Sequence, residues 1–366
     1  MTGKTSVRVL AATGMAVLGL AACGSSGTST SSASSGGMKL GFFGALTGPN
    51  AQLGINIDNG EKLAVQQYNA TNPKVKVSVD PFDSQGLPAQ APQGVQKMIA
   101  DNAVAVVGPA FSSESESADP TFEKAGIPNV SASATNVKLA QNGWKFFHRA
   151  LADDSAQGPG DADYIVKTLG DKTVAVIDDS SSYGQGLADF VRSSLKTNGG
   201  GDALDDHIDP NGQDYSSTVN KVTAAKPSAV FFGGYYDAAG RLAKQLKDAG
   251  FNGAFVSGDG SKDPGFIKSA GSATTAEGAY LSCACEDTTA SSAAQAFNTA
   301  YMKAYGTSPQ TYSGEAYDAT NFILAAVKSG ATTKSAINSY LASNQWVGVT
   351  KTLKFLPNGN VSGGTV

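Results

Sequence analysis

The sequence predicts an α/β protein built as two doubly wound, parallel-sheet lobes. Three observations carry this. Short runs rich in Val, Ile, Phe and Ala recur along the chain, and several of them are continuously apolar rather than alternating. Longer amphipathic stretches separate them, which is the pattern of βαβ units whose sheets are covered on both faces. The alternation also outlasts a single sheet of ordinary size. It breaks at Asp153–Gly160 (Asp-Asp-Ser-Ala-Gln-Gly-Pro-Gly) and then restarts.

In chain order, strands are predicted at Met38–Phe43, Lys74–Asp80, Ala103–Val107, Asn129–Ser131, Thr173–Asp178, Ala229–Phe232 and Ala254–Val256. Each is short and rich in β-branched or aromatic residues. Helices are predicted at Ile57–Asn69, Ala89–Asp101, Glu114–Ala125, Tyr183–Lys196, Ala238–Gly250 and Ala290–Tyr305, where apolar residues return with helical spacing. Gly126 and Gly250 stand where left-handed helix caps are needed, and Pro128 opens the strand that follows.

The N-terminus reads as an address. Lys4 and Arg8 precede an apolar run from Val9 to Leu20, too short to cross a ~30 Å hydrocarbon core comfortably but suited to a signal-peptide core. Leu20-Ala21-Ala22-Cys23 resembles the bacterial lipobox, whose cysteine carries lipid. Residues 1–22 are therefore expected to be a lipoprotein signal peptide, with Cys23 lipidated. Residues 23–37 are almost wholly Gly, Ser and Thr, a tether with nothing to bury. Removing residues 1–22 deletes two positive charges and moves the formal net charge from −4 to −6. An acidic domain with no basic patch argues against nucleic acid.

Several segments, taken in order, resemble the Leu/Ile/Val-binding family of solute-binding proteins of ABC transporters, the type I periplasmic binding proteins. They are Gly44-Ala45-Leu46-Thr47-Gly48-Pro49, Val107-Gly108-Pro109-Ala110-Phe111-Ser112-Ser113, Ser131-Ala132-Ser133-Ala134-Thr135 and Asp179-Ser180-Ser181-Ser182-Tyr183-Gly184-Gln185-Gly186. Asp214-Tyr215-Ser216-Ser217, Phe231-Phe232-Gly233-Gly234-Tyr235, Gly258-Asp259-Gly260 and Ala276-Glu277-Gly278 complete the set, which covers residues 38–362. The resemblance implies three crossover segments between the lobes. It places 38–155 plus 286–345 in lobe 1, and 156–285 plus 346–366 in lobe 2. The family continues past Gly359-Asn360-Val361 into another strand, so the final strand of lobe 2 is expected to be short or missing.

Ligands of open parallel sheets sit beyond the carboxyl ends of the strands, and four of these segments occupy such places. Ser112 and Ser113 precede a helix whose free N–H groups suit a carboxylate; capping that helix is the alternative use of either serine. The resemblance assigns the carboxylate to Ser112 and gives Ser133 and Thr135 to the ligand's carboxylate and ammonium. Tyr183 and Tyr235 read as walls, and Asp259 as the acid facing the ammonium. Leu53, Phe111 and Tyr236 are the candidates for tuning the side-chain pocket.

Cys283 and Cys285 fit either a disulfide or two free thiols. Residues two apart on a regular strand lie about 6.6 Å apart, at the edge of disulfide reach, so bonding requires a kink. The resemblance puts the pair at an interlobe crossing. These cysteines with His148 and His207 form no recognisable metal set, and no cofactor is implied. No Gly-x-Ser-x-Gly elbow or phosphate loop occurs, which argues against an enzyme.

The expectation is a monomeric, lipid-anchored receptor on the outer face of a bacterial cytoplasmic membrane. It would bind a branched-chain or similar aliphatic amino acid by hinge closure and pass it to an ABC permease. A binder of an amide, urea or aromatic acid, or a sensor for signalling, is the alternative.

Overall fold

The computed structural model describes residues 37–289 and 291–364. The signal-peptide expectation, Cys23 and nearly all of the tether lie outside the described residues. None of the described helices is long and apolar enough to cross a membrane.

The first sheet takes β1 (Met38–Gly44), β2 (Val77–Asp83), β3 (Ala105–Val107), β4 (Asn129–Ser131) and β5 (Phe147–Arg149) in the spatial order β2-β1-β3-β4-β5, all parallel. Helices α1 (Ala51–Ala70), α2 (Ala91–Ala100) and α3 (Ser112–Ala125) connect its strands. Strand β2 carries Pro81, which lacks an N–H, and it occupies the sheet edge where that donor is not needed.

Helix α4 (Asp154–Asp163) then leads to the second sheet, in which β6 (Thr173–Asp178), β7 (Gly201–His207), β8 (Ala229–Gly233), β9 (Ala254–Ser257) and β10 (Ala279–Leu281) are ordered β7-β6-β8-β9-β10. They too are parallel. Its connections include α5 (Ser182–Thr197), α6 (Ser216–Ala225), α7 (Tyr236–Asp248), α8 (Gly265–Ser269) and α9 (Ala273–Ala276). Both sheets thus have the same doubly wound order, each with its switch point between its first and third strands in sequence. The two central strands β3 and β8 are buried along their whole length, as sheets covered on both faces require.

The Asp153–Gly160 segment does fall between the two sheets, but it is helix rather than a loop. The Asp153 side chain caps it by accepting from the Ser155 N–H at 3.1 Å. Its glycines serve packing: a Cβ on Gly158 would lie 2.3 Å from Cβ of Phe190, so only glycine lets α4 press onto α5.

After β10 the chain returns to the first lobe as α10 (Gln295–Tyr305), α11 (Ser313–Lys328) and α12 (Lys334–Ser343), with α11 packed along α1. Of residues 346–366, expected in lobe 2, the described part contacts elements of the first lobe. Strands β11 (Trp346–Val347) and β12 (Thr352–Leu353) form a hairpin whose turn is held by Asp318 of α11, which accepts from the N–H groups of Val349 and Thr350 at 2.8 Å each. Beyond it Phe355 stacks on His148 at 4.7 Å, and Arg149 N–H donates to Gly359 O at 2.9 Å. The described tail therefore covers β5, which would otherwise be the open edge of the first sheet. Among the described residues the chain passes between the sheets after β5 and after β10.

Candidate functional site

Switch points place loops from both sheets opposite one another. From the first lobe come Leu53 on α1, the segment after β3 that starts α3, and the segment after β4. From the second come the starts of α5 and α7 and the turn after β9. The lobes meet directly: Ser182 N–H donates to the Ser113 hydroxyl at 3.1 Å, and its own hydroxyl donates to Glu116 at 2.6 Å. The Asn136 amide donates to Ser182 O at 2.6 Å. Asn56 of α1 donates to Asp263 at 3.3 Å.

Between these contacts lies a cavity lined by Leu53, Ala110, Phe111, Ser112, Ser133, Tyr183, Tyr235 and Tyr312. Six of the eight expected ligand-binding residues therefore converge. The cavity is small, about 10 Å3, which is room for about one water. An amino acid enters only when the lobes part or a ring withdraws. The Phe111 and Tyr235 rings, from opposite lobes, meet edge to face at 5.0 Å and divide this cavity from a wider opening of about 380 Å3 bounded by Pro49, Leu87, Asp179 and Pro210.

On the first-lobe side, α3 begins at Ser112, so its leading N–H groups have no helical acceptor. The Ser112 hydroxyl accepts from Asn136 N–H at 3.2 Å, and the Ser133 hydroxyl donates to Ala110 O at 2.5 Å. The Ser131 hydroxyl fixes the turn between them, donating to Pro109 O at 2.7 Å and accepting from Ala134 N–H at 3.0 Å. Thr135 lies behind the lining, with its carbonyl accepting from Asp154 N–H at 3.0 Å and its hydroxyl beside the Asp154 carboxyl.

On the second-lobe side, Asp259 is fully buried. It reaches the cavity through tyrosines: Tyr183 donates to Oδ1 at 2.6 Å and Tyr312 donates to Oδ2 at 2.7 Å. With its nitrogen toward Asp259, the Gln157 amide donates to Oδ1 at 2.9 Å while its oxygen accepts from Asp259 N–H and the Ser282 hydroxyl. None of these donors is cationic. Burial pushes the Asp259 carboxyl above its ordinary range, and it does the same to Asp154 and Asp161 of α4. Burial also raises Glu114 to about 8 and Asp179 to about 6. The cleft floor is thus acidic, and a cation entering it would find unspent acceptors.

Tyr236 is not in the lining; its hydroxyl accepts from Gln52 N–H at 3.3 Å and serves lobe contact instead. Sequence reasoning missed Tyr312, Ala110 and Gln157. Ala110 lay within a quoted segment, whereas nothing near Tyr312 marks it. Cys283 and Cys285 are bonded to each other with Cα atoms 5.0 Å apart, in the segment that leaves β10. The chain bends there enough to meet the distance that a regular strand exceeds.

The sequence pattern of the periplasmic binding protein family matches residues 37–363. The chain is 31% identical over 229 residues to a Leu/Ile/Val-binding protein of Rhizobium johnstonii, a match spanning 62% of either chain. It is 29% identical over 300 residues to a Leu/Ile/Val-binding protein homolog of Brucella melitensis, covering 81% of this chain and 80% of that one. In three dimensions it resembles the branched-chain amino acid transporter substrate-binding protein of Streptococcus pneumoniae in complex with isoleucine, with a TM-score of 0.83, 29% identity and coverage of 89% and 93%. With its paired doubly wound sheets and a family match running almost the full described length, the chain belongs to the periplasmic binding protein family.

Proposed function

We propose that this protein is the extracytoplasmic receptor of an ABC importer and binds an aliphatic α-amino acid between its lobes. One observation carries the reading. The start of α3, with Ser112 and Ser133, stands across a small apolar-walled cavity from tyrosines that hold a buried acid. That arrangement complements a zwitterion: unpaired N–H groups for the carboxylate and Asp259 for the ammonium, each charge offsetting the desolvation of the other. Leu53, Phe111 and Tyr235 would then enclose an aliphatic side chain. The structural relative in complex with isoleucine supports the same class.

Ligand would close the lobes by hinge motion, the hinge running through the segments after β5 and β10, the second stiffened by the Cys283–Cys285 bond. Lobe 1 (38–155 plus 286–345, with the docked tail) and lobe 2 (156–285) would move as bodies. Lipid on Cys23 would hold the monomer at the membrane beside its permease.

The test is a thermal-shift and calorimetric screen of the full chain in detergent, stripped of carried-over ligand by unfolding and refolding. The panel holds the common amino acids, urea, short amides and aromatic acids. A ligand at a hundred times its Kd adds about 2.7 kcal/mol, a readable shift. Stabilisation by leucine, isoleucine or valine is expected. Stabilisation only by amine-free compounds would overturn the assignment of Asp259.

A further inference from the structure

We propose that Tyr312 is a selectivity residue for the ligand's amine: it reaches from the first lobe to fix the carboxylate of Asp259 in the second while its ring walls the cavity. The inference rests on the amino-acid reading above.

Tyr312 immediately precedes α11, which packs along α1, so its backbone belongs to the first lobe. It is one of few non-glycine residues with positive φ, at 70°, a conformation that a bulky side chain seldom takes without a compensating contact. The preceding residue is anchored to the opposite lobe, since the Thr311 hydroxyl donates to Lys262 O. The result is a buried ring beside the cavity and a hydroxyl on Asp259 Oδ2.

The other two donors to Asp259, Tyr183 on α5 and Gln157 on α4, come from its own lobe and both use Oδ1. Tyr312 alone among the three arrives from across the cleft, so its hydrogen bond forms only when the lobes are together. An ionised carboxylate accepts about four hydrogen bonds. Of the three side-chain donors, two use Oδ1 and only Tyr312 uses Oδ2, so the less crowded oxygen is the one that Tyr312 orients. Closure therefore both aims the acid and limits where an ammonium can sit. The titratable groups acting on Asp259 are Tyr183, Tyr312, Tyr235, Asp154 and Asp161. The nearby Arg149 spends its donors on Ala134 O, Asn136 O, Asn360 and Asp153.

Tyr312→Phe keeps the ring and removes the hydroxyl. Calorimetry on the full chain would compare leucine with 4-methylpentanoate, the same skeleton without the amine, from pH 5 to 8. Wild type should prefer leucine. The variant should lose about tenfold in leucine affinity, the value of one hydrogen bond to a charged group, and less than about twofold for 4-methylpentanoate. The pH below which leucine binding weakens should rise, because a carboxylate with one donor fewer takes a proton more readily. An unchanged leucine to 4-methylpentanoate ratio with an unchanged pH midpoint overturns the role of Tyr312, as does a parallel loss of both ligands. Wild-type protein that treats the two ligands alike, or binds neither, defeats the amino-acid reading and this one with it.

Discussion

Replacing Asp259 by asparagine should move binding and stability in opposite directions. In the ligand-free protein the carboxylate is fully buried and held only by neutral donors. Its pKa is raised by burial, so the folded chain holds this proton more tightly than the unfolded chain. Above the unfolded value of 3.8 the group therefore costs stability, increasingly so as pH rises toward its folded value. Asparagine keeps the shape and removes the charge; the tyrosine hydroxyl facing its nitrogen can rotate to accept, while the other still donates to its oxygen. The ligand-free melting temperature at pH 7 should hold or rise. Binding should suffer, because removing one partner of a buried charge pair costs about 2–5 kcal/mol, or roughly 30-fold to a few thousand-fold in Kd. Calorimetry with leucine and a thermal melt of the empty protein read the two effects separately. A Kd within about threefold of wild type would refute the pairing of Asp259 with an ammonium; a large drop in melting temperature would refute the claim that the empty carboxylate is a burden.

Three further outcomes follow from buried groups near the cleft. Glu114, pushed up to about 8 by burial, should lose its proton between pH 7 and 9 and cost the fold on the order of 1 kcal/mol across that interval; Glu114→Gln should flatten the corresponding fall in urea stability, and an equally steep fall in the variant would show that another group is responsible. Arg149 is fully buried and ties the Ala134 and Asn136 carbonyls, Asp153 and Asn360 together, so Arg149→Met should cost about 3–5 kcal/mol in urea unfolding and loosen the turn bearing Ser133. A loss below about 1 kcal/mol would mean that water replaces those partners. A Cβ at Gly258 would lie 2.4 Å from Leu187 Cδ2 and 2.7 Å from the Tyr183 hydroxyl; Gly258→Ala should cost about 1–3 kcal/mol and weaken leucine binding by displacing Tyr183 from Asp259. Unchanged affinity would show that Tyr183 does not act through that acid.

The parts of the fold legible in the sequence were those where local chemistry and tertiary position agree. Central strands read as apolar runs buried on both faces, as in Val174–Ile177 of β6 and in Ala229–Gly233. Strand β7, Gly-Asp-Ala-Leu-Asp-Asp-His, was not legible because it is an acid-rich sheet edge, and the three-residue β5 and β10 contain no β-branched residue, unlike the equally short β3 and β4. Helix α4 was hidden by Gly158, Pro159 and Gly160, residues that break isolated helices; here Gly158 is required by contact with Phe190, a demand visible only once α5 is in place.

The candidate site divides along the same line. Leu53, Phe111, Ser112, Ser133, Tyr183 and Tyr235 stand shortly after strands, so the rule for parallel sheets, joined to the family resemblance, was enough to collect them. Tyr312 follows no strand and lies in Pro-Gln-Thr-Tyr-Ser-Gly, 53 residues after the acid it touches. Its place depends on a chain that leaves β10, passes the Cys283–Cys285 bend and returns to the first lobe. Local pattern carries no trace of such a path. A residue of this kind belongs by backbone to one lobe and by hydroxyl to the other, so it becomes part of the site only through closure. The same dependence makes it sensitive to the ligand: an ammonium seated on Asp259 and a tyrosine crossing to the same carboxylate both favour the closed form, and each is stronger in the other's presence while an acceptor position remains free.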